Sequence, residues 1–224
     1  MIAVALAAVI LAGVLVLILD GHGVSSLAGL VAGAAAAAGL TAGRRHTGAR
    51  TAAGTAAQRR TEVAVAPLEH AGWSFLHAVP GPDGAYDHIA VGPGGLILLE
   101  SMSPDGVVRM IGGEPVVETA ADGPAPPRVR RLRPTALADA TTLRERVQRI
   151  AERRLWVQAV VVVWSDFPAG CVADGRCVYI HGSRLAEWLS RRPHQFAEPE
   201  AEAVCAAVGQ LAEHGSDLDL PVAV

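Results

Sequence analysis

The sequence contains no lysine: its 19 lysine-plus-arginine residues are all arginine, and they stand against 22 acidic residues. This balance argues against a generally basic protein that coats nucleic acid. Cysteine is also scarce, and the three cysteines, Cys171, Cys177 and Cys205, show no Cys-x-x-Cys spacing. The cysteine pattern therefore suggests neither a zinc site nor a disulfide framework, and it agrees with a reducing compartment.

Charged and polar side chains are missing from residues 1–19, and twelve of these residues are Val, Ile or Leu. Each such residue favours membrane insertion by about 0.3 to 0.6 kcal/mol, and a run of this length can cross the hydrocarbon core. We therefore expect a retained membrane span. A cleaved signal peptide is the alternative, but the run lacks a basic n-region and is too long for an h-region.

Residues 24–43 form a second uncharged stretch, which is rich in Ala and Gly and contains two Gly-x-x-x-Gly motifs. Such motifs place small residues on one helix face, where two helix backbones can approach closely. We predict a transmembrane helical hairpin over residues 1–43. A flexible Ala/Gly linker is the alternative for the second half of this segment.

Arg44 and Arg45 follow the apolar segment directly. By the positive-inside rule, the main domain should face the cytoplasm from the cell membrane. The expected organisation is a basic linker over 44–57, a main domain over 58–215 and a C-terminal tail over 216–224.

The strongest local signal is a β-hairpin, with strands predicted at 86–91 and 95–100 around a Gly-Pro-Gly-Gly turn. The other predicted elements are a helix at 58–69, a strand at 73–79, a weak hairpin at 107–118, a helix at 136–154, strands at 156–164 and 176–181, and helices at 184–190 and 198–213. Residues 121–134, rich in Pro and Arg, are predicted to form an irregular loop. This order indicates an α/β domain with a mixed β-sheet flanked by helices.

Asp87 and Glu100 stand 13 positions apart, one near the start of the first predicted strand and the other at the end of the second. A hairpin brings two such carboxylates together, and carboxylate oxygens are the ligands that Mg²⁺ prefers. In metal-dependent nucleases of the Asp…(Asp/Glu)-x-Lys type, a lysine stands two places after the second acid. In this chain that position is Met102, so the expected cation of the site is missing.

Several short motifs lie in and around this hairpin, namely Gly72-Trp73, His77, Tyr86-Asp87-His88, Val91-Gly92-Pro93-Gly94-Gly95 and Glu100-Ser101. Together they resemble the nuclease-related domain (NERD) family. The resemblance covers roughly residues 55–190, and it implies a restriction-endonuclease-like fold in a protein that is often tethered to a membrane.

By position, the resemblance makes Asp87 and Glu100 the metal-binding carboxylates. The chain departs from the family at Met102, where a lysine is usual, and at Gln58, which aligns best with a glutamate of the first helix. Methionine offers neither charge nor a proton donor, and losing one preorganised donor typically lowers the rate by about 10²–10³. Arg109 is the nearest candidate to replace the lysine, although a guanidinium cannot serve as a base.

Simpler structural roles compete with these assignments. Asp87 could cap a turn and Glu100 could face solvent at a strand end, while His77, His88 and His181 are interpreted as ordinary structural histidines.

The arginines fall into two groups. One lies in the Pro-rich loop and could contact phosphates or an anionic membrane surface; the other, on the long helix, is interpreted as a solvated, salt-bridged face. The first group is Arg128, Arg130, Arg131 and Arg133; the second is Arg146, Arg149 and Arg153.

Three hypotheses follow from the sequence. The first is a membrane-anchored nuclease homologue with a degenerate site, which binds Mg²⁺ weakly or not at all and acts by binding nucleic acid or a protein partner. The second is an active Mg²⁺-dependent DNA or RNA phosphodiesterase that uses an arginine in place of lysine. The third is a structural membrane adaptor.

Overall fold

A computed structural model describes residues 52–121 and 126–214 of the chain. The transmembrane hairpin predicted over 1–43, most of the basic linker and the tail at 216–224 lie outside these residues. Among the helices of the described part, none combines the length and the apolar character that crossing a membrane requires.

Nine strands and four α-helices make up the described part of the chain. The strands are β1 (Ser74–Gly81), β2 (Gly84–Gly92), β3 (Gly95–Met102), β4 (Val107–Ile111), β5 (Glu114–Thr119), β6 (Arg128–Arg131), β7 (Val157–Val163), β8 (Cys171–Asp174) and β9 (Cys177–His181). The helices are α1 (Ala52–Val65), α2 (Ala136–Ala151), α3 (Leu185–Ser190) and α4 (Glu198–His214), with 3₁₀ helices over Ala66–Ala71 and Gly182–Arg184.

The main sheet has six strands in the spatial order β1-β2-β3-β7-β9-β8. Strands β3, β7 and β9 run parallel to one another, and the remaining neighbours pair antiparallel. The four valines at 160–163 lie in β7 and are fully buried, as expected of a strand that is covered on both faces. The predicted α/β fold with a mixed sheet flanked by helices is therefore confirmed.

Helices cover both faces of this sheet. Apolar side chains of α2 and α4 pack with Leu96 and Leu98 of β3 on one face. Those of α3 and the end of α1 pack with Ile97 and Leu99 on the other face. Successive side chains of a strand point to opposite faces of the sheet. Neighbouring residues of β3 therefore pack against helices on opposite faces.

A smaller antiparallel sheet, in the order β4-β5-β6, lies between β3 and α2 in the sequence. The Val108 N–H donates to the carbonyl of Asp166, just after β7, at 2.8 Å. Val108 and Val117 are buried in the same apolar cluster as α2. The small sheet is therefore anchored to the end of the main sheet where β3 and β7 finish.

The hairpin between β2 and β3 is confirmed, with Gly92 paired to Gly95. Gly95 has a φ of +103°, which L-residues rarely adopt. At Gly92, an added Cβ would lie 2.6 Å from the ring of buried Trp73, so a side chain at this position would displace the indole.

Three local predictions differ from the structure. Helix α1 begins at Ala52 rather than at residue 58, because four of residues 52–57 are alanine, the residue with the highest helix propensity. The predicted irregular loop contains β6, which becomes a strand by pairing with β5. Arg146 does not lie on a solvated face: it is 3% exposed and donates to the carbonyl of Pro80 at 2.9 Å.

Replacing Leu143 by alanine should lower the free energy of unfolding by about 2–5 kcal/mol, because this α2 side chain is fully buried and leaves a cavity. Leu137→Ala is the matched control on the same helix; its side chain is 38% exposed, and the expected loss is below about 1 kcal/mol. Guanidinium unfolding followed by tryptophan fluorescence measures both. Equal losses would contradict this placement of α2.

Candidate functional site

Strands β2 and β3 pair from the Gly92–Gly95 turn out to His88 and Leu99, where the ladder ends. One further step in the same register places Asp87 opposite Glu100. Side chains opposite each other in an antiparallel pair have Cβ atoms about 4.5–5.5 Å apart. The two candidate metal ligands are therefore neighbours at the point where the strands stop pairing.

The pairing of β1 with β2 is interrupted at the same level of the sheet. It skips Ala78, which has a φ of +53°, and it skips Asp87. A positive φ at a residue with a Cβ is uncommon and marks a local distortion of the strand. Asp87 thus lies at a break in the sheet on both of its sides.

Two amide groups donate to the Asp87 carboxylate. Its Oδ2 accepts the backbone N–H of Ser101 at 2.9 Å, and its Oδ1 accepts the side-chain amide of Gln58 on α1. The sequence assigned Gln58 to the candidate site by alignment alone, and the structure brings it into contact with Asp87. The glutamine amide donates a hydrogen bond to one oxygen of Asp87. Because the amide is uncharged, it does not neutralise the charge of the acid.

Glu100 is held by the beginning of α2. Its Oε2 accepts the backbone N–H of Ala136 at 2.6 Å, in the position where a helix N-terminus stabilises negative charge. Burial nevertheless raises the pKa of Glu100 from 4.5 to about 7, and the Asp87 and Asp139 charges add to this rise while the Ala136 bond opposes it. Glu100 and Asp87 are therefore close enough to repel each other electrostatically.

Met102 lies on the same face of β3 as Glu100. Its side chain is half-buried and packs against the larger apolar cluster, beside α2. Arg109, the arginine considered as a replacement for the missing lysine, lies on β4 and is 48% exposed. Its Nε is 2.5 Å from the Glu118 carboxylate, so its charge is paired within the small sheet.

A chain of polar contacts runs behind this site, between α1 and the sheet. The Trp164 indole N–H donates to Thr61 Oγ1 at 2.8 Å, and the Thr61 hydroxyl lies 3.2 Å from the carbonyl of Ala57. Thr61 Oγ1 is also 2.7 Å from Ser101 Oγ, which in turn is 3.1 Å from His88 Nε2. Thr61, His88 and Ser101 are buried, so this chain is part of the core.

His77, His88 and Glu62 were not assigned to any site from the sequence, and the structure brings them together. One ligand atom from each residue lies within 4.8 Å of the other two. A signal for the histidine pair was present: His77 and His88 lie the same number of residues outside the turn between β1 and β2. They are therefore cross-strand partners in the observed register.

Comparison with known proteins found no match to a family model, a curated protein or a solved structure. The resemblance to nuclease-related domains accordingly rests on the motif residues of this chain alone.

The titration of Glu100 should make stability depend on pH. The folded chain binds this proton more tightly than the unfolded chain, so the Glu100 contribution is fully present below pH 4.5 and is lost as the pH rises through about 7. In the presence of a chelator, Glu100→Gln should therefore be more stable than the wild type at pH 8, by about 1–3 kcal/mol. The glutamine can still accept the Ala136 N–H.

Guanidinium unfolding at half-unit steps from pH 4.5 to pH 8 measures this effect. Glu145→Gln, on the exposed side of α2, is the matched control and should follow the wild type at each pH. If the free energy of unfolding of the wild type and of Glu100→Gln changed with pH in the same way, the raised pKa of Glu100 would be contradicted.

Proposed function

We propose that this chain is a membrane-anchored nuclease-related-domain protein, with a restriction-endonuclease-like main domain, that has lost most or all phosphodiesterase activity. It acts by binding, with nucleic acid near the membrane surface as the first candidate. The observation that carries the proposal is the pair Asp87 and Glu100 at the open end of the β2–β3 hairpin, beside Met102, where a nuclease needs a cation.

The ligand chemistry of the pair suits a hard cation. Two carboxylates at a strand end are suitable ligands for Mg²⁺, which, when bound, polarises a phosphoryl oxygen and lowers the pKa of a bound water. However, Gln58 and the Ser101 N–H engage both oxygens of Asp87, and the Ala136 N–H engages Glu100. These bonds leave further lone pairs on the carboxylate oxygens and so do not exclude a metal. Weak Mg²⁺ binding is expected because the pKa of Glu100 is raised to about 7, and a protonated carboxyl group is a poor metal ligand.

The working-nuclease alternative receives little support from the arginines near the strand ends. Arg109 is paired with Glu118. Arg60, on α1, lies with its guanidinium carbon 4.4 Å from the centre of the Trp164 ring, and it also donates to the Trp164 carbonyl. Neither guanidinium is directed to the carboxylate pair by these contacts.

Strand β6 offers a surface for anionic partners. All four of its residues are exposed, and Arg128 and Arg130 project from the same side because side chains alternate along a strand. Arg131, on the opposite side, is paired with Glu114 at 2.9 Å. Two exposed arginines on an edge strand can contact successive phosphates, which favours a nucleic-acid backbone over the purely structural adaptor.

Catalysis is tested with the full-length protein in mild detergent, incubated with plasmid and single-stranded DNA in Mg²⁺ or Mn²⁺. The wild type should cleave no faster than Asp87→Ala. The double variant Gln58→Glu/Met102→Lys restores the acid and the cation, and its cleavage rate should rise by at least about 10²-fold.

Met110→Lys is the matched control, because Met110 is also half-buried and packs against the same apolar cluster. Met110→Lys should not raise the rate of DNA cleavage. Wild-type cleavage that Asp87→Ala abolishes would overturn the loss of activity. No gain from the double variant would argue against a nuclease-derived site.

Binding is tested with single-stranded and double-stranded DNA at several salt concentrations. Replacing Arg128 and Arg130 together by alanine should weaken binding at low salt and reduce the slope of log K against log salt by about 1.4–1.8, because two phosphate contacts are lost. Arg191→Ala, an exposed arginine paired with Glu187 on α3, should change neither quantity. Absence of any DNA affinity at low salt would favour the structural adaptor.

A further inference from the structure

We propose that Glu62, His77 and His88 form a second metal site, distinct from the Asp87–Glu100 pair, that binds a divalent transition metal of the Zn²⁺ type. The three residues come from three adjacent elements: Glu62 from α1, His77 from the edge strand β1 and His88 from β2. One ligand atom of each lies within 4.8 Å of the others. His77 is exposed and Glu62 half-exposed, so an ion can reach the cluster from solvent.

The buried polar chain fixes which nitrogen of His88 carries its proton. The Trp164 indole can only donate, and the Ala57 carbonyl can only accept. The Thr61 hydroxyl therefore accepts from Trp164 and donates its one proton to the Ala57 carbonyl. Ser101 must then donate to Thr61, and it accepts from His88 Nε2–H. This is the only direction of the chain that satisfies all four contacts.

In the neutral imidazole of His88, the consequence is a lone pair on Nδ1, the nitrogen that faces His77. The two Nδ1 atoms are 2.8 Å apart, so without an ion they share one proton, donated by His77. If His77 moves that proton to its Nε2, both Nδ1 atoms present lone pairs to the same point. A neutral imidazole can make this tautomer change without gaining or losing charge.

The two histidines need only a small change of position to share one ion. Two nitrogens bound to one tetrahedral Zn²⁺ lie about 3.3 Å apart, given Zn–N distances of about 2.0–2.1 Å. The rings must therefore separate by about half an ångström. His77 can supply this shift, because it is exposed on an edge strand and precedes Ala78, where the ladder is interrupted.

The donor set selects the class of ion. Two imidazoles and one carboxylate suit Zn²⁺ and its first-row neighbours, whereas Mg²⁺ prefers oxygen ligands alone. Metal-binding histidines usually donate their other ring N–H to a fixed acceptor, and Ser101 Oγ serves as that acceptor for His88. Three protein ligands leave a coordination position open to water or to an exogenous ligand.

The experiment uses the full-length protein in mild detergent, with any affinity tag removed and the metal stripped by chelation. Zn²⁺ binding is measured by competition with a chromophoric chelator, and Co²⁺ is used as a spectroscopic probe. We expect one Zn²⁺ per chain with micromolar or tighter affinity, and Co²⁺ absorption of the intensity typical of four- or five-coordinate sites. Excess Mg²⁺ should leave Zn²⁺ binding unchanged.

Variants locate the ion. His77→Ala and Glu62→Gln should each weaken Zn²⁺ binding by at least about 100-fold, and Ser101→Ala by about 10- to 100-fold through the lost support of His88. His70→Ala, which removes another exposed imidazole, is the control and should bind as the wild type does. Because His77 and Glu62 are not buried, their variants should keep the wild-type melting temperature.

Three results would overturn the proposal. The first is Zn²⁺ binding no tighter than millimolar, which would make the histidine pair a structural hydrogen bond only. The second is equal Zn²⁺ affinity in His77→Ala, Glu62→Gln and His70→Ala. The third is displacement of Zn²⁺ by Mg²⁺, which would place the ion at the Asp87–Glu100 pair.

Discussion

The break in pairing around Asp87 is the constraint on which the local structure depends. On one side the β1 ladder skips this residue, and on the other the β3 ladder ends one step before it. The Asp87 side chain then replaces part of the missing ladder, because its Oδ2 accepts the Ser101 N–H. The carboxylate oxygen thereby accepts a hydrogen bond that a backbone carbonyl would accept in a continuous ladder. The opening also lets α1 reach the strands, so that Gln58 contacts Asp87.

Amide groups donate to both acids of the pair. The Gln58 amide and the Ser101 N–H serve Asp87, and the first turn of α2 serves Glu100. Hydrogen bonds to charged groups contribute about 1.5–3 kcal/mol each, enough to keep an acid in a partly buried position. This explains how the apolar Met102 can occupy a position beside two carboxylates.

Much of the candidate site follows from the positions of turns in the sequence. Once Gly92 and Gly95 are recognised as a turn, counting outward by equal steps reaches Asp87 and Glu100; the turn before β2 relates His77 and His88 in the same way. The mixed sheet with helices on both faces followed from the buried run of β7 and the alternation of elements, whereas the sequence made no prediction of the spatial strand order. These are local signals, and each depends on a few residues whose backbone preferences are strong.

The features that sequence reasoning missed depend on distant partners. Arg146 shares a helical stripe with apolar residues of α2, yet nothing local reveals the Pro80 carbonyl that satisfies it. Strand β6 exists because β5 offers an edge to pair with, whereas the Pro- and Arg-rich segment at 121–134 that contains it predicts a loop. Glu62 required knowledge of how α1 is rotated against the sheet, which Thr61 fixes through its contacts with Ser101 and Trp164.

Ser101 connects the two candidate sites, because its backbone and side chain face different partners. Its N–H donates to Asp87, whereas its hydroxyl accepts from His88 and donates to Thr61. Both sets of contacts therefore depend on where β3 places Ser101. The two sets differ in chemistry, since one presents oxygen ligands and the other mainly nitrogen, so they need not compete for the same ion. Their common dependence on one serine makes the end of β3, rather than either group of ligands alone, the element that determines both geometries.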